Sequence, residues 1–178
     1  MELLDTYGRI ARDLRLSVTD RCSLRCHYCM PAEGVPLIPR PELLTADEMV
    51  RLAGIAVGDL GVSRIRVTGG EPLVRRDLAA IVERLADLTP RPELALTTNG
   101  VGLAGRAHEL ARAGLDRVTV SLDTLDPTTF ATLARRDRLS DVLAAIRAAV
   151  ALWPGRVKIN AVALPETLAE GRAAVYFS

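Results

Sequence analysis

Aromatic side chains are nearly missing from this sequence: two Phe, three Tyr and one Trp, 3% of 178 residues. A core must therefore come from the abundant Ala, Leu and Val, which suits helical layers packed on short strands. Net charge is also lacking, at +1, so nothing implies a general field for nucleic-acid polymers or a membrane surface. Apolar stretches are interrupted by Arg, Asp or Gly well short of the roughly twenty residues a membrane span needs, and no segment resembles a secretory signal. Cysteine is scarce and odd in number, three in all, which argues against a disulfide framework and for free thiols in a reducing, cytoplasmic compartment. No low-complexity tract or fixed-period repeat interrupts the chain. Its length suits one domain with a substantial core.

What is there is concentrated. All three cysteines fall in Cys22-Ser23-Leu24-Arg25-Cys26-His27-Tyr28-Cys29. Thiolates spaced this closely ligate one soft centre, an iron–sulfur cluster or zinc. Clusters of this kind normally take four cysteines, so three leave one iron open to an outside ligand, and an open metal position is where chemistry occurs. Two other readings compete. Spacings of four and three put the thiols on one face of a helix, as a buried stripe would require, but Arg21, Ser23, Arg25 and His27 interleave with them and break any amphipathic pattern. A Cys3His zinc knot would need the adjacent Cys26 and His27 to reach one tetrahedral ion, whereas zinc ligands usually come as two separated pairs.

The remainder alternates strand and helix. Leu14 to Thr19 alternates as a strand that feeds the cysteine loop, and prolines keep the next stretch irregular until Thr45, which with Glu48 forms a capping box for a helix ending at Gly61. A second strand, Arg64 to Thr68, runs into Gly69-Gly70-Glu71-Pro72. Asp77 is expected to cap the following helix, then come a strand from Leu94 to Thr98, a helix from about Leu103 to Ala113, and a strand from Val118 to Leu122. Asp126-Pro127 opens a short helix, Ser140 is expected to cap a longer one, and Val157 to Val162 is the fifth strand. This order predicts a parallel sheet with right-handed crossovers.

Each strand has one apolar and one polar face, unlike a sheet covered on both sides. Arg15, Ser17 and Thr19, then Arg66 and Thr68, Thr97 and Asn99, Thr119, Ser121 and Asp123, and Lys158 and Asn160 make up the polar faces. A partial (β/α) TIM-like barrel of about five parallel strands, helices outside, accounts for this, and places the cysteine loop, Gly69-Gly70-Glu71-Pro72, Asn99-Gly100 and Asp123 at carboxyl strand ends, where barrels keep their sites. A solvated one-sided sheet is the alternative. Glycines after the second strand would let backbone approach a bound ligand. Arg15, Arg66 and Lys158, converging from three strands, call for a polyanion such as a triphosphate, unless each pairs with a local acid such as Asp123 or Glu71.

The C-x3-C-x2-C spacing with an aromatic before the last cysteine resembles the radical S-adenosylmethionine (radical SAM) superfamily. There three cysteines hold a [4Fe-4S] cluster whose fourth iron takes the amino and carboxylate groups of S-adenosylmethionine. Asp5-Thr6-Tyr7-Gly8-Arg9, Cys29-Met30-Pro31, Arg66 to Leu73, Thr97-Thr98-Asn99-Gly100, Ser121-Leu122-Asp123 and Lys158-Ile159-Asn160 narrow the likeness to the GTP 3′,8-cyclases of molybdenum cofactor (molybdopterin) biosynthesis. The resemblance implies cluster ligation by Cys22, Cys26 and Cys29, S-adenosylmethionine contacts at Tyr28, Gly70 and Ser121, and GTP contacts at Arg15, Arg66, Thr97 and Lys158. It implies a lyase reaction: reductive cleavage of S-adenosylmethionine gives a 5′-deoxyadenosyl radical that takes a hydrogen from the GTP ribose, and the sugar closes onto guanine C8 to give (8S)-3′,8-cyclo-7,8-dihydroguanosine 5′-triphosphate. An external electron donor is implied, and a homodimer is left open.

The same resemblance implies a longer chain with a second three-cysteine cluster. No fourth cysteine is present, so that second [4Fe-4S] cluster is not supported by this chain, and the family pattern is lost after Ala163. Residues 1–163 are thus expected to form the radical SAM core and 164–178 a divergent tail, in a truncated form with impaired cyclisation. Two functional alternatives stay open: a radical SAM enzyme acting on another substrate, and a zinc-stabilised module without catalysis.

Overall fold

The computed structural model describes residues 3–169. The lead-in folds into a small loop on Asp5, whose carboxylate accepts the Tyr7 and Arg9 amides at 2.8 and 2.9 Å, and whose ends meet in an antiparallel bridge between Leu4 and Ile10. Five strands follow among the described residues: β1 Asp13–Ser17, β2 Arg64–Thr68, β3 Glu93–Thr98, β4 Arg117–Ser121 and β5 Val157–Asn160. All neighbours pair in parallel, in sequence order, so β1 and β5 form the two edges of an open sheet. Such an order, with a helical crossover between successive strands, is a partial TIM-like barrel.

Among the described residues six α-helices accompany the strands: α1 Ala46–Gly58, α2 Leu78–Ala86, α3 Leu103–Arg112, α4 Pro127–Ala134, α5 Leu139–Leu152 and α6 Pro165–Ala169. α1 begins where the expected capping box lies, the Thr45 hydroxyl accepting the Glu48 amide while Glu48 accepts the Thr45 amide at 2.8 Å. α4 begins at Pro127 because Asp126 accepts the Thr129 amide at 2.8 Å. Two expected caps fail. Asp77 precedes α2 without capping it, since its carboxylate is engaged by the Arg75 guanidinium at 2.9 and 3.2 Å. Ser140 lies inside α5, which starts a residue earlier because buried Leu139 is drawn into the core; Asp141 in that first turn pairs with Arg138. α6 and the first turn of the expected tail were not anticipated, and the rest of that tail, residues 170–178, lies outside the described residues.

The period-two pattern of the strands decides where the core goes. Ile65, Val67, Leu94, Leu96, Val118 and Val120 are fully buried against one layer of helices, through Ala53 of α1, Ile81 and Leu85 of α2, Leu110 of α3 and Val142 of α5. Burying each such side chain is worth about 1.5–3 kcal/mol. The alternate positions form the other face. In register across it lie Arg15 with Arg66, Arg66 with Ala95, Thr97 with Thr119, and Thr119 with Lys158. Helices therefore cover one face and leave a polar wall on the other.

Candidate functional site

The cysteine segment is loop and turn, not helix, which removes the buried helical stripe. It is tied down by its own backbone and by a distant helix end. The Cys29 and Met30 amides donate to the Cys26 carbonyl at 2.9 and 3.1 Å, and the Arg25 and His27 amides donate to the carbonyls of Ala134 and Leu133, both at 3.0 Å, at the end of α4. Arg135, in the left-handed conformation that ends that helix (φ 50°), reaches the Met30 carbonyl at 3.1 Å. Leu24 plugs the loop into the core. Sequence reasoning missed this clasp, because over a hundred residues separate its halves and no local pattern announces it.

Cys22 and Cys26 are half-buried and Cys29 is exposed. Desolvation pushes the Cys26 thiol up to about 11, with the Asp123 charge adding to it. Cys22 is raised by desolvation too, partly offset by the Leu24 amide. Protons must leave these thiols when a metal binds. Among the described residues no three His, Cys, Asp or Glu side chains converge on one ion position. Three thiols on one loop, with an amide donor beside Cys22, do suit a cluster, whose cysteines each bind a different iron.

The segment after β2 is locked against that loop. The Gly70 amide donates to the Thr19 carbonyl at 2.8 Å and the Glu71 amide to the Arg21 carbonyl at 2.7 Å. Gly69, with φ at +140°, and Gly70 have no room for a side chain: a Cβ at either would lie 2.4 Å from the carbonyl of Thr19 or Arg21. The close approach these glycines permit is thus to the cysteine loop itself. Glu71 is fully buried. It accepts the Thr98 hydroxyl at 2.7 Å and the Leu73 amide at 3.0 Å on one oxygen and the Asn99 amide at 2.6 Å on the other. Burial raises its pKa and these three donors oppose the rise. Asn99 in turn reaches Ser23 at 3.1 Å and the Cys22 sulfur at 3.7 Å. Neither Glu71 nor Asn99 was assigned a site role from sequence, although the Gly-Gly-Glu-Pro and Asn-Gly motifs marked both loops.

On the other side of the loop the Tyr28 hydroxyl donates to Asp123 at 2.6 Å, and Asp123 accepts the Val162 amide at 2.9 Å. Burial and that carboxylate push the Tyr28 hydroxyl well above its ordinary range. Tyr28, Ser121, Cys26 and Asn99 line one small, mostly apolar cavity, walled by Phe130 and Leu133. The structure thus gathers two of the three residues expected to meet S-adenosylmethionine, and places Gly70 across the loop against Arg21.

Below the rim stands the cationic wall. Arg66 and Lys158 line a cleft of about 200 Å³ together with Arg64, Arg117 and Arg156, and Arg15 is the register partner of Arg66. The Thr97 hydroxyl is buried on the same face without a hydrogen-bond partner. Arg15, Arg66 and Lys158 are exposed, because the five described strands do not close around them. The three cations therefore carry no burial cost, and screening softens their repulsion. Pairing with local acids is absent as well. Among the described residues none of the three makes an ion pair, and Glu71 and Asp123 are taken by the donors named above.

Comparison with known proteins places the chain in a family. The model of the Radical SAM superfamily matches residues 16–175. A GTP 3′,8-cyclase of Streptomyces coelicolor is 58% identical over 163 residues, 92% of this chain and 48% of that one; a GTP 3′,8-cyclase of Rhodococcus opacus is 58% identical over 166 residues, 93% and 47%. The chain spans about half the length of the curated relatives it matches. Among solved structures, SuiB of Streptococcus suis bound to S-adenosylmethionine superposes with a TM-score of 0.68 at 20% identity, covering 89% of this chain and 35% of that one. The peptide-bound anSMEcpe structure with AdoMet gives 0.67 at 16%, covering 90% and 45%. At those identities the likeness shows the fold alone. No helix among the described residues is long and apolar enough to cross a membrane.

Proposed function

The chain belongs to the radical SAM superfamily, and on that premise we propose that it carries the chemistry of a GTP 3′,8-cyclase in molybdenum cofactor biosynthesis, in the cytoplasm. Cys22, Cys26 and Cys29 would hold a [4Fe-4S] cluster. With S-adenosylmethionine bound, the cluster supplies one-electron cleavage and a carbon-centred radical. The protein's part is to bind, orient and shield. Tyr28, Ser121 and the Gly70 backbone would hold S-adenosylmethionine at the rim, with the apolar walls of Phe130 and Leu133 excluding water. Arg15, Arg66 and Lys158 would take the triphosphate and Thr97 a polar atom of the nucleotide. An external one-electron donor serves the cluster, and a homodimer is the assembly to look for.

The observation that carries the reading is the wall: Arg15 and Arg66 stand side by side in register, and no acid among the described residues pairs with either. Adjacent like charges on neighbouring strands are destabilising, and a polyphosphate cancels the repulsion with charge-assisted hydrogen bonds.

Anaerobic reconstitution with S-adenosylmethionine, reductant and GTP deuterated at the ribose 3′ position tests this. Deuterium should appear in 5′-deoxyadenosine, with cyclised nucleotide formed only in small amount. Cleavage of S-adenosylmethionine without deuterium transfer and without cyclised nucleotide would overturn the GTP assignment.

A further inference from the structure

Asn99 is held by its backbone amide and by both ends of its side chain. Its backbone amide donates to Glu71 at 2.6 Å and its side-chain oxygen accepts the Val101 amide at 3.0 Å. That second bond fixes which end of the amide is oxygen and which is nitrogen. The nitrogen's two hydrogens then go to the Ser23 hydroxyl, 3.1 Å away, and the Cys22 sulfur, 3.7 Å away. Behind it Glu71 is fully buried and, among the described residues, has no cationic partner; its three donors come from Leu73, Thr98 and Asn99. A carboxylate so placed costs stability unless every lone-pair direction is used, and here it serves to fix the tip of β3 against the cysteine loop.

We propose that Asn99 donates a hydrogen bond to the sulfur of cluster ligand Cys22 and thereby sets the cluster's reduction potential, with Glu71 as the positioning residue that aims it. The inference rests on the reading of Cys22, Cys26 and Cys29 as cluster ligands. Hydrogen bonds to ligating sulfurs are one of the levers by which proteins set such potentials. The direction follows from charge. The reduced cluster carries one electron more than the oxidised one, the sulfur is then more negative, and an N–H donor stabilises that state more. Removing the donor makes the potential more negative. The electron comes from an external one-electron donor, dithionite in the titration, and no covalent bond to Asn99 forms or breaks.

The test is a redox titration of the anaerobically reconstituted chain followed by electron paramagnetic resonance, comparing wild type with Asn99→Ala at matched iron and sulfide content. At the wild-type midpoint the ratio of reduced to oxidised cluster should fall roughly tenfold in the variant, about 59 mV for a one-electron couple. The wild type gives a second readout that needs no variant. The chain contains only two asparagines, Asn99 and Asn160, so side-chain 15N-asparagine should give a weak nitrogen coupling to the reduced cluster. An unchanged midpoint in Asn99→Ala, or no 15N coupling in the wild type, overturns the assignment of Asn99 while leaving the cluster in place. A wild type that takes up no iron overturns the cluster reading itself, and this inference with it.

Discussion

The floor of the polar face and the wall above it are built from the same side chains and treated in opposite ways. At the floor, Arg64 meets Asp13 at 2.7 Å, and Arg117 and Arg156 share Glu93 at 3.1 and 4.0 Å. One step further along the strands, Arg15, Arg66 and Lys158 make no ion pair with any acid among the described residues. Exposure does not separate the two regions, since the floor arginines are themselves 53–57% exposed and the wall cations are exposed too. The acids at the rim are no help to the wall: Glu71 takes three neutral donors, and Asp123 takes a tyrosine and a backbone amide. The contrast teaches that paired cations close the sheet at its amino end, while uncompensated ones are left where an anionic ligand is wanted.

Emptying the wall should have the largest effect. Arg66→Ala combined with Lys158→Ala should weaken GTP binding about a hundredfold or more, since each charge-assisted hydrogen bond is worth about 1.5–3 kcal/mol; isothermal calorimetry at low salt checks it. Next comes the rim. Glu71→Gln turns one of two acceptor oxygens into an NH2 group facing donors, leaving a buried N–H unpaired, so unfolding free energy should fall by about 2 kcal/mol, read by urea denaturation. Smaller again is Glu93→Gln, which would make the floor resemble the wall. With Arg117 and Arg156 released, GTP affinity should rise a few-fold, and the gain should disappear as added salt shortens the screening length. Smallest is Arg64→Ala. It breaks one exposed pair, so stability should change by less than about 1 kcal/mol and GTP affinity should stay within about twofold.

Much of this molecule was legible in its sequence because its signals are local. Period-two strands, the Thr45–Glu48 box and the Asp126-Pro127 start each depend on residues within a turn of one another. The two failed caps show the limit. Asp77 had a competing arginine two residues away, and the start of α5 was decided by burial of Leu139 and not by the nearest hydroxyl. Within the site, the cysteine trio and the cations of the polar face could be read from spacing and alternation. The Glu71–Asn99–Cys22 chain and the clasp of α4 on the cysteine loop could not, since their partners meet only once the sheet has formed. The exposure of the wall was missed for a related reason: alternation says which face a residue takes, not whether that face is closed over.

Lys158 reports on whether the uncompensated wall holds the nucleotide's phosphates. It is the only lysine in the chain, so reductive 13C-methylation yields one side-chain resonance, besides that of the N-terminal amine, and preserves the positive charge. Titrating GTP into the reconstituted protein should shift that resonance saturably, and guanosine, which lacks the phosphates, should leave it in place. A Lys158 signal unmoved by saturating GTP, or moved equally by guanosine, would mean that the wall does not hold the phosphates.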